Sequence, residues 1–132
     1  MIGLDTNIVL RALLQPQDSE GARARKLVAS RCADPQSGMI NHVVLCEAVW
    51  VLARTYRYSR QQLDDALTII LSTPAFLIPE RELVEEAIEV FRATRADFAD
   101  ALIGVLNRRA GCSTTYTFDR RAAATADFTA VA

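Results

Sequence analysis

Four carboxylates, Asp5, Glu47, Asp100 and Asp119, interrupt the apolar runs of this chain. Asp5 follows Met1-Ile2-Gly3-Leu4, and Glu47 divides Val43-Val44-Leu45-Cys46 from Ala48-Val49-Trp50-Val51. Asp100 lies inside Phe98-Ala99-Asp100-Ala101-Leu102-Ile103, and Asp119 closes Thr114-Thr115-Tyr116-Thr117-Phe118. An unpaired carboxylate in apolar surroundings is costly. No Lys or Arg lies within four residues of Asp5, Glu47 or Asp100. A shared divalent cation would satisfy all four, and hard ions held by carboxylates are catalysts of phosphodiester hydrolysis. Each acid also has an ordinary explanation. Asp5 is placed to cap a helix, Asp100 to meet a helix dipole, and Asp119 to pair with Arg120 or Arg121. Glu47 has the weakest such account, and capping does not explain the four together.

Other chemistries are poorly supplied. His42 is the single histidine, which excludes a ribonuclease working through two histidines and leaves no Ser/His/Asp triad to argue. A surface or capping role at a helix start suits it better. No Gly-rich phosphate loop is present. Cys32, Cys46 and Cys112 are odd in number and widely spaced. They fit neither a disulfide framework nor a zinc site, so they read as reduced, with Cys46 in the core.

The elements that must position the acids alternate between short strands and helices. A strand at residues 2–4 leads through Asp5-Thr6-Asn7, which offers capping side chains, into a helix that Pro16 ends. A second helix spans about 19–31 with Ala22, Leu27 and Val28 inward. A strand at 39–40 is followed by Asn41, the cap of a long helix reaching about residue 56 with Glu47 in its second turn. Ser59 with Gln62 forms a capping box, and Pro74 ends that helix. A third strand covers 76–78, and Pro79 with Glu80 and Glu82 starts a helix whose inner stripe is Leu83, Ala87, Ile88 and Phe91. Asp97 caps the helix that carries Asp100. Strands at 114–118 and 128–131 flank a short helix at about 120–126. This order implies an α/β fold: a three-layer sandwich around a short-stranded, mainly parallel five-stranded sheet. Ligands bind such sheets at the carboxyl ends of the strands, where Asp5 and Asp119 should meet.

The chain has 132 residues, 51% of them hydrophobic, which suits one domain over 1–132 with its own core. No apolar run is long enough to span a bilayer. A first strand starting at Met1 leaves no room for a signal peptide, so the expected location is cytoplasmic. The net charge is −1, yet fourteen Arg accompany a single Lys, Lys26. Arg suits bidentate phosphate contact, although a GC-rich genome accounts for abundant Arg and Ala together.

Met-Ile-Gly-Leu-Asp5-Thr6-Asn7-Ile-Val-Leu-Arg resembles the opening of a PIN domain. Glu47 in a long third helix, Asp97-Phe98-Ala99-Asp100-Ala101-Leu102-Ile103, and Thr117-Phe118-Asp119-Arg120 resemble its later motifs in order. The compact length is similar to the VapC toxins of bacterial toxin–antitoxin pairs. The resemblance implies an endoribonuclease dependent on Mg²⁺ or Mn²⁺, an RNA substrate, a cognate VapB-type antitoxin, a homodimer and no membrane. It assigns catalysis and metal binding to Asp5, Glu47, Asp100 and Asp119. Thr6, Asn7, Thr117 and Asp97 become groups that orient those carboxylates. A housekeeping RNA-processing nuclease, and a non-catalytic RNA- or protein-binding module on the same fold, are the competing expectations.

Overall fold

The structure is a computed structural model that describes residues 1–132. The chain is α/β, with seven helices and five short strands, and every strand pair is parallel. It packs as two compact units, residues 1–79 and 80–132.

The first unit contains β1 (Ile2–Gly3), α1 (Thr6–Leu14), α2 (Ser19–Arg31), β2 (Gly38–Met39), α3 (His42–Arg54), α4 (Arg60–Ser72) and β3 (Phe76–Leu77). Its sheet runs β1-β2-β3, with Gly3 opposite Met39 and Met39 opposite Leu77. Parallel neighbours need crossover connections, which the helix pairs α1–α2 and α3–α4 supply. Because the strands are parallel and in register, the turns that leave them lie along one edge. Asp5 and Asn41 both start helices there, and the His42 ring donates from Nε2 to the Pro79 carbonyl at 2.6 Å. A carbonyl only accepts, so that nitrogen carries the proton, and His42 ties α3 to the end of the third strand. The core is aliphatic: Leu4, Val9, Ile40, Leu45, Leu52 and Leu67 are at most 5% exposed.

Local signals set most helix boundaries. Asp5 accepts from Ile8, Asn41 from Val44, and Ser59 and Gln62 form the expected reciprocal box. The buried face of α2 differs from expectation. Gly21 and Ala24 turn inward and Ala22 is exposed. The reason is close packing on the preceding loop: a Cβ on Gly21 would lie 2.2 Å from the Pro16 carbonyl oxygen. Cys32 is the buried cysteine at 3% exposure, whereas Cys46 is half-buried.

The second unit contains α5 (Arg81–Ala93), α6 (Phe98–Arg109), β4 (Thr115–Thr117), α7 (Arg120–Ala123) and β5 (Phe128–Ala130). Helix α5 begins after Glu80 rather than at Pro79, because Glu80 takes a left-handed conformation with φ 48°. Its expected stripe is the buried one. Phe91 meets Phe98 of α6 edge-to-face, with ring centroids 6.5 Å apart. Strands β4 and β5 form a parallel pair of their own, with Thr115 opposite Phe128 and Thr117 opposite Ala130. The five strands therefore hydrogen-bond as a set of three and a set of two. Arg108 clamps this unit by donating to Asp127 at 2.7 Å and to Glu86. No helix is long and apolar enough to cross a membrane.

Candidate metal centre and the family it belongs to

In the first unit, Asp5 and Glu47 are linked through one side chain. Asp5 is the N-cap of α1, and its Oδ1 accepts the Ile8 amide at 3.1 Å. Its second carboxylate oxygen accepts nothing from the protein. The next residue, Thr6, is 8% exposed and donates its hydroxyl to Oε1 of Glu47. The strand-to-helix turn after β1 thus fixes one acid by a cap and reaches across to orient another. Asn7 makes no hydrogen bond to either carboxylate and lines a cavity of about 380 Å³ with Ile8, Arg11 and Leu27.

The apolar surroundings inferred from the chain do not enclose these two acids. Asp5 and Glu47 are exposed, although their neighbours Leu4, Leu45 and Ala48 are buried. Asp5 stands between buried Leu4 and Thr6, and Glu47 shares the exposed face of α3 with Val43 and Trp50. Burial cost alone therefore does not call for a cation at Asp5 or Glu47.

In the second unit three carboxylates influence one another. Asp100 is the third residue of α6 and is partly buried. Burial raises its pKa above the ordinary carboxylate value. The charges of Asp119 and then Asp97 raise it further, against a smaller downward pull from Arg121. Asp119 caps α7, with Oδ1 accepting the amides of Arg121 and Ala122 at 2.9 Å each. The Thr117 hydroxyl accepts the Asp119 amide at 2.9 Å, so it orients that residue through its backbone.

Asp97 occupies the N-cap position of α6 but its side chain makes no capping hydrogen bond. The carboxylate pairs with Arg121 at 3.6 Å instead. It therefore acts on Asp100 as a nearby negative charge rather than as the simple cap expected. Arg121 is the group that residue-by-residue reading missed. The Arg120-Arg121 doublet was visible, but it was matched to the adjacent Asp119 rather than to Asp97 across the unit.

The donor set suits a hard divalent ion, since every available atom is a carboxylate or hydroxyl oxygen. The mutual repulsion felt by Asp100 is of the kind that a cation relieves. In neither unit do three His, Cys, Asp or Glu side chains converge as a ready-made ligand cluster.

With this geometry in place, comparison with known proteins identifies the class. A family model for the PIN domain matches residues 2–128, and the chain belongs to that family. Among individual relatives, a VapC ribonuclease of Aquifex aeolicus is 26% identical over 78 residues. That stretch is 59% of this chain and 58% of the relative, so the chain covers little more than half the length of that protein. The crystal structure of VapC20 of Mycobacterium tuberculosis, described as a sarcin–ricin loop cleaving toxin, aligns over 98% of each chain at 25% identity with a TM-score of 0.44.

Proposed function

We propose that this protein is a divalent-metal-dependent endoribonuclease acting as the toxin of a VapBC-type pair. The observation that carries the reading is a single PIN-domain match that runs through all four acids, from Asp5 to Asp119. The 1–132 chain then works as one nuclease domain. Asp5, Glu47, Asp100 and Asp119 are the groups that would hold the ion, Mg²⁺ or Mn²⁺. When bound, such an ion supplies an activated water and neutralises charge on a phosphodiester during in-line displacement.

The chain's own residues prepare for this. Two backbone amides hold Asp119 at the start of α7, which leaves its carboxylate little freedom. Thr6 holds one oxygen of Glu47 and leaves the other. The free oxygen of Asp5 faces no competing donor. Asp97 and Arg121 form a loose, exposed pair that balances charge beside Asp100. With only one histidine, and that one donating Nε2 to a carbonyl, acid–base attack by a ribose hydroxyl has no obvious agent.

Two partners belong to the same proposal. A cognate VapB-type antitoxin would cover the acids with a cationic side chain. A second copy would pack on the exposed face of α3, where Val43 is 77% exposed and Trp50 59%. On the same segment Val44, Val51 and Tyr58 are half-buried and Tyr56 is exposed.

The test is RNA cleavage by the purified chain with Mg²⁺ or Mn²⁺, followed by end mapping. Expected products carry a 5′-phosphate and a 3′-hydroxyl, chelator stops the reaction, and Asp5→Asn or Asp100→Asn removes most of it. Cleavage that survives chelator, or 2′,3′-cyclic phosphate ends, contradicts the mechanism. Expression of the chain alone should slow bacterial growth. Harmless high-level expression of a folded, active nuclease would instead favour a housekeeping role.

A further inference from the structure

Directly before Asp119 stands the most exposed large apolar side chain of the protein, Phe118, at 88%. Two positions earlier, Tyr116 is 69% exposed. One exposed aromatic is ordinary on a protein surface. Two at alternate positions beside a candidate catalytic acid form a pattern, and three further observations give it a direction.

The backbone that carries the rings is pinned. Thr117 accepts the Val131 amide through its carbonyl at 3.0 Å and the Asp119 amide through its hydroxyl at 2.9 Å. Asp119 is itself held by the Arg121 and Ala122 amides. The rings are therefore displayed from a fixed segment, so little backbone entropy opposes a ligand that stacks on them. Tyr116 lies in β4 and Phe118 one residue beyond its end; alternate residues of an extended chain stand roughly 6–7 Å apart, a separation that suits successive bases of an extended single strand. Charge is the third observation. Arg120, next to Asp119, is exposed and forms no ion pair, and Arg121 makes one loose ion pair, with Asp97 at 3.6 Å.

We propose that Phe118 and Tyr116 form a stacking platform for two successive unpaired bases of single-stranded RNA, with Arg120 on the intervening phosphate. Stacking on aromatic faces is tolerant of sequence because every base has a π-face, and cationic groups beside the rings track the backbone. The platform would select unpaired RNA, since bases in a duplex have no free faces. It would also hold the chain next to Asp119. This inference rests on the nuclease reading for its substrate class, but its test does not require cleavage.

The experiment measures binding of a short fluorescein-labelled single-stranded RNA to the full chain in chelator. The wild type is compared with Phe118→Ala, Phe118→Leu, Phe118→Trp and Tyr116→Ala, with the same sequence as a duplex for control. Phe118 is exposed, so its variants should fold as the wild type does, which circular dichroism checks. The expected result is about tenfold weaker binding for Phe118→Ala, a similar loss for Phe118→Leu, and recovery with Phe118→Trp. Duplex binding should be weak and unchanged in all.

Equal binding by wild type and Phe118→Ala overturns the proposal, as does full recovery with leucine or wild-type binding too weak to measure. A change in oligomeric state with RNA binding unaltered also overturns it and assigns the surface to a protein partner. If binding depends on the ring but no RNA is cut with Mg²⁺ or Mn²⁺, the platform stands and the nuclease reading falls. Cleavage together with ring-independent binding has the opposite meaning.

Discussion

Thr6→Val isolates the link between the two acids of the first unit. Valine matches threonine closely in volume, so no cavity opens, and the change removes only the hydroxyl that donates to Glu47. A hydrogen bond to a charged acceptor contributes about 1.5–3 kcal/mol. Glu47 is exposed and regains water when released, which lowers the expected loss to about 1 kcal/mol. For a chain of this size that is a fall in Tm of about 4 °C. The effect on metal binding should be larger in proportion, because a freed Glu47 samples many rotamers. Groups that orient a ligand typically contribute about 10–100-fold in affinity. Calorimetric titration with Mn²⁺ measures this without any need for cleavage. Thr6→Ser keeps the hydroxyl and should stay close to wild type. Combining Thr6→Val with Glu47→Ala should be clearly less harmful than the sum of the two, since both remove one interaction. Wild-type Mn²⁺ affinity in Thr6→Val, or strict additivity in the pair, would refute the claim that Thr6 positions Glu47.

Three more outcomes follow from the geometry. Asp100 has a raised pKa, so its folded state favours the proton and its contribution opposes folding as pH rises through and above the ordinary carboxylate range. Metal-free Asp100→Asn should therefore lose less stability between pH 4 and 7 than the wild type, and a parallel decline in denaturant titrations contradicts this. Gly104→Ala places a Cβ 2.6 Å from the Phe128 ring and 3.0 Å from Asp127 Cβ. It should destabilise by about 1–3 kcal/mol although alanine is the better helix former, and a stabilised variant would show that β5 moves aside freely. Alkylation under native conditions should reach exposed Cys112 first, with Cys46 slow because burial raises its pKa and Cys32 protected until unfolding; peptide mapping after iodoacetamide reads the order.

What could be read from the chain was set by interactions three or four residues long. Asp5, Asn41, Ser59 and Gln62 act on amides within their own helix starts, so their residue types announce their geometry. The strong stripe of α5 was legible for a similar reason: its apolar residues recur at helical spacing with charges between them. Helix α2 was not, because Ser19–Arg31 is rich in small residues and has no dominant apolar face. Contact with Pro16, outside the helix, decided which side turned inward. Strand pairing was also hidden, since strands of two or three residues carry too little alternation to specify partners.

The candidate site divides along the same line. The four acids were singled out by type and order, and Thr6 by the resemblance of the segment around Asp5. How each acid is held was not, because that depends on partners distant in sequence. Glu47 meets Thr6 across 41 positions, and Asp97 exchanges an expected local cap for Arg121. The most telling error concerns burial. Apolar neighbours in the chain suggested buried acids, yet α3 buries Leu45 and Ala48 while turning Glu47 to water. An exposed carboxylate costs the protein little before a cation arrives. At Asp100 partial burial and two like charges coincide, and there the protein itself favours charge neutralisation.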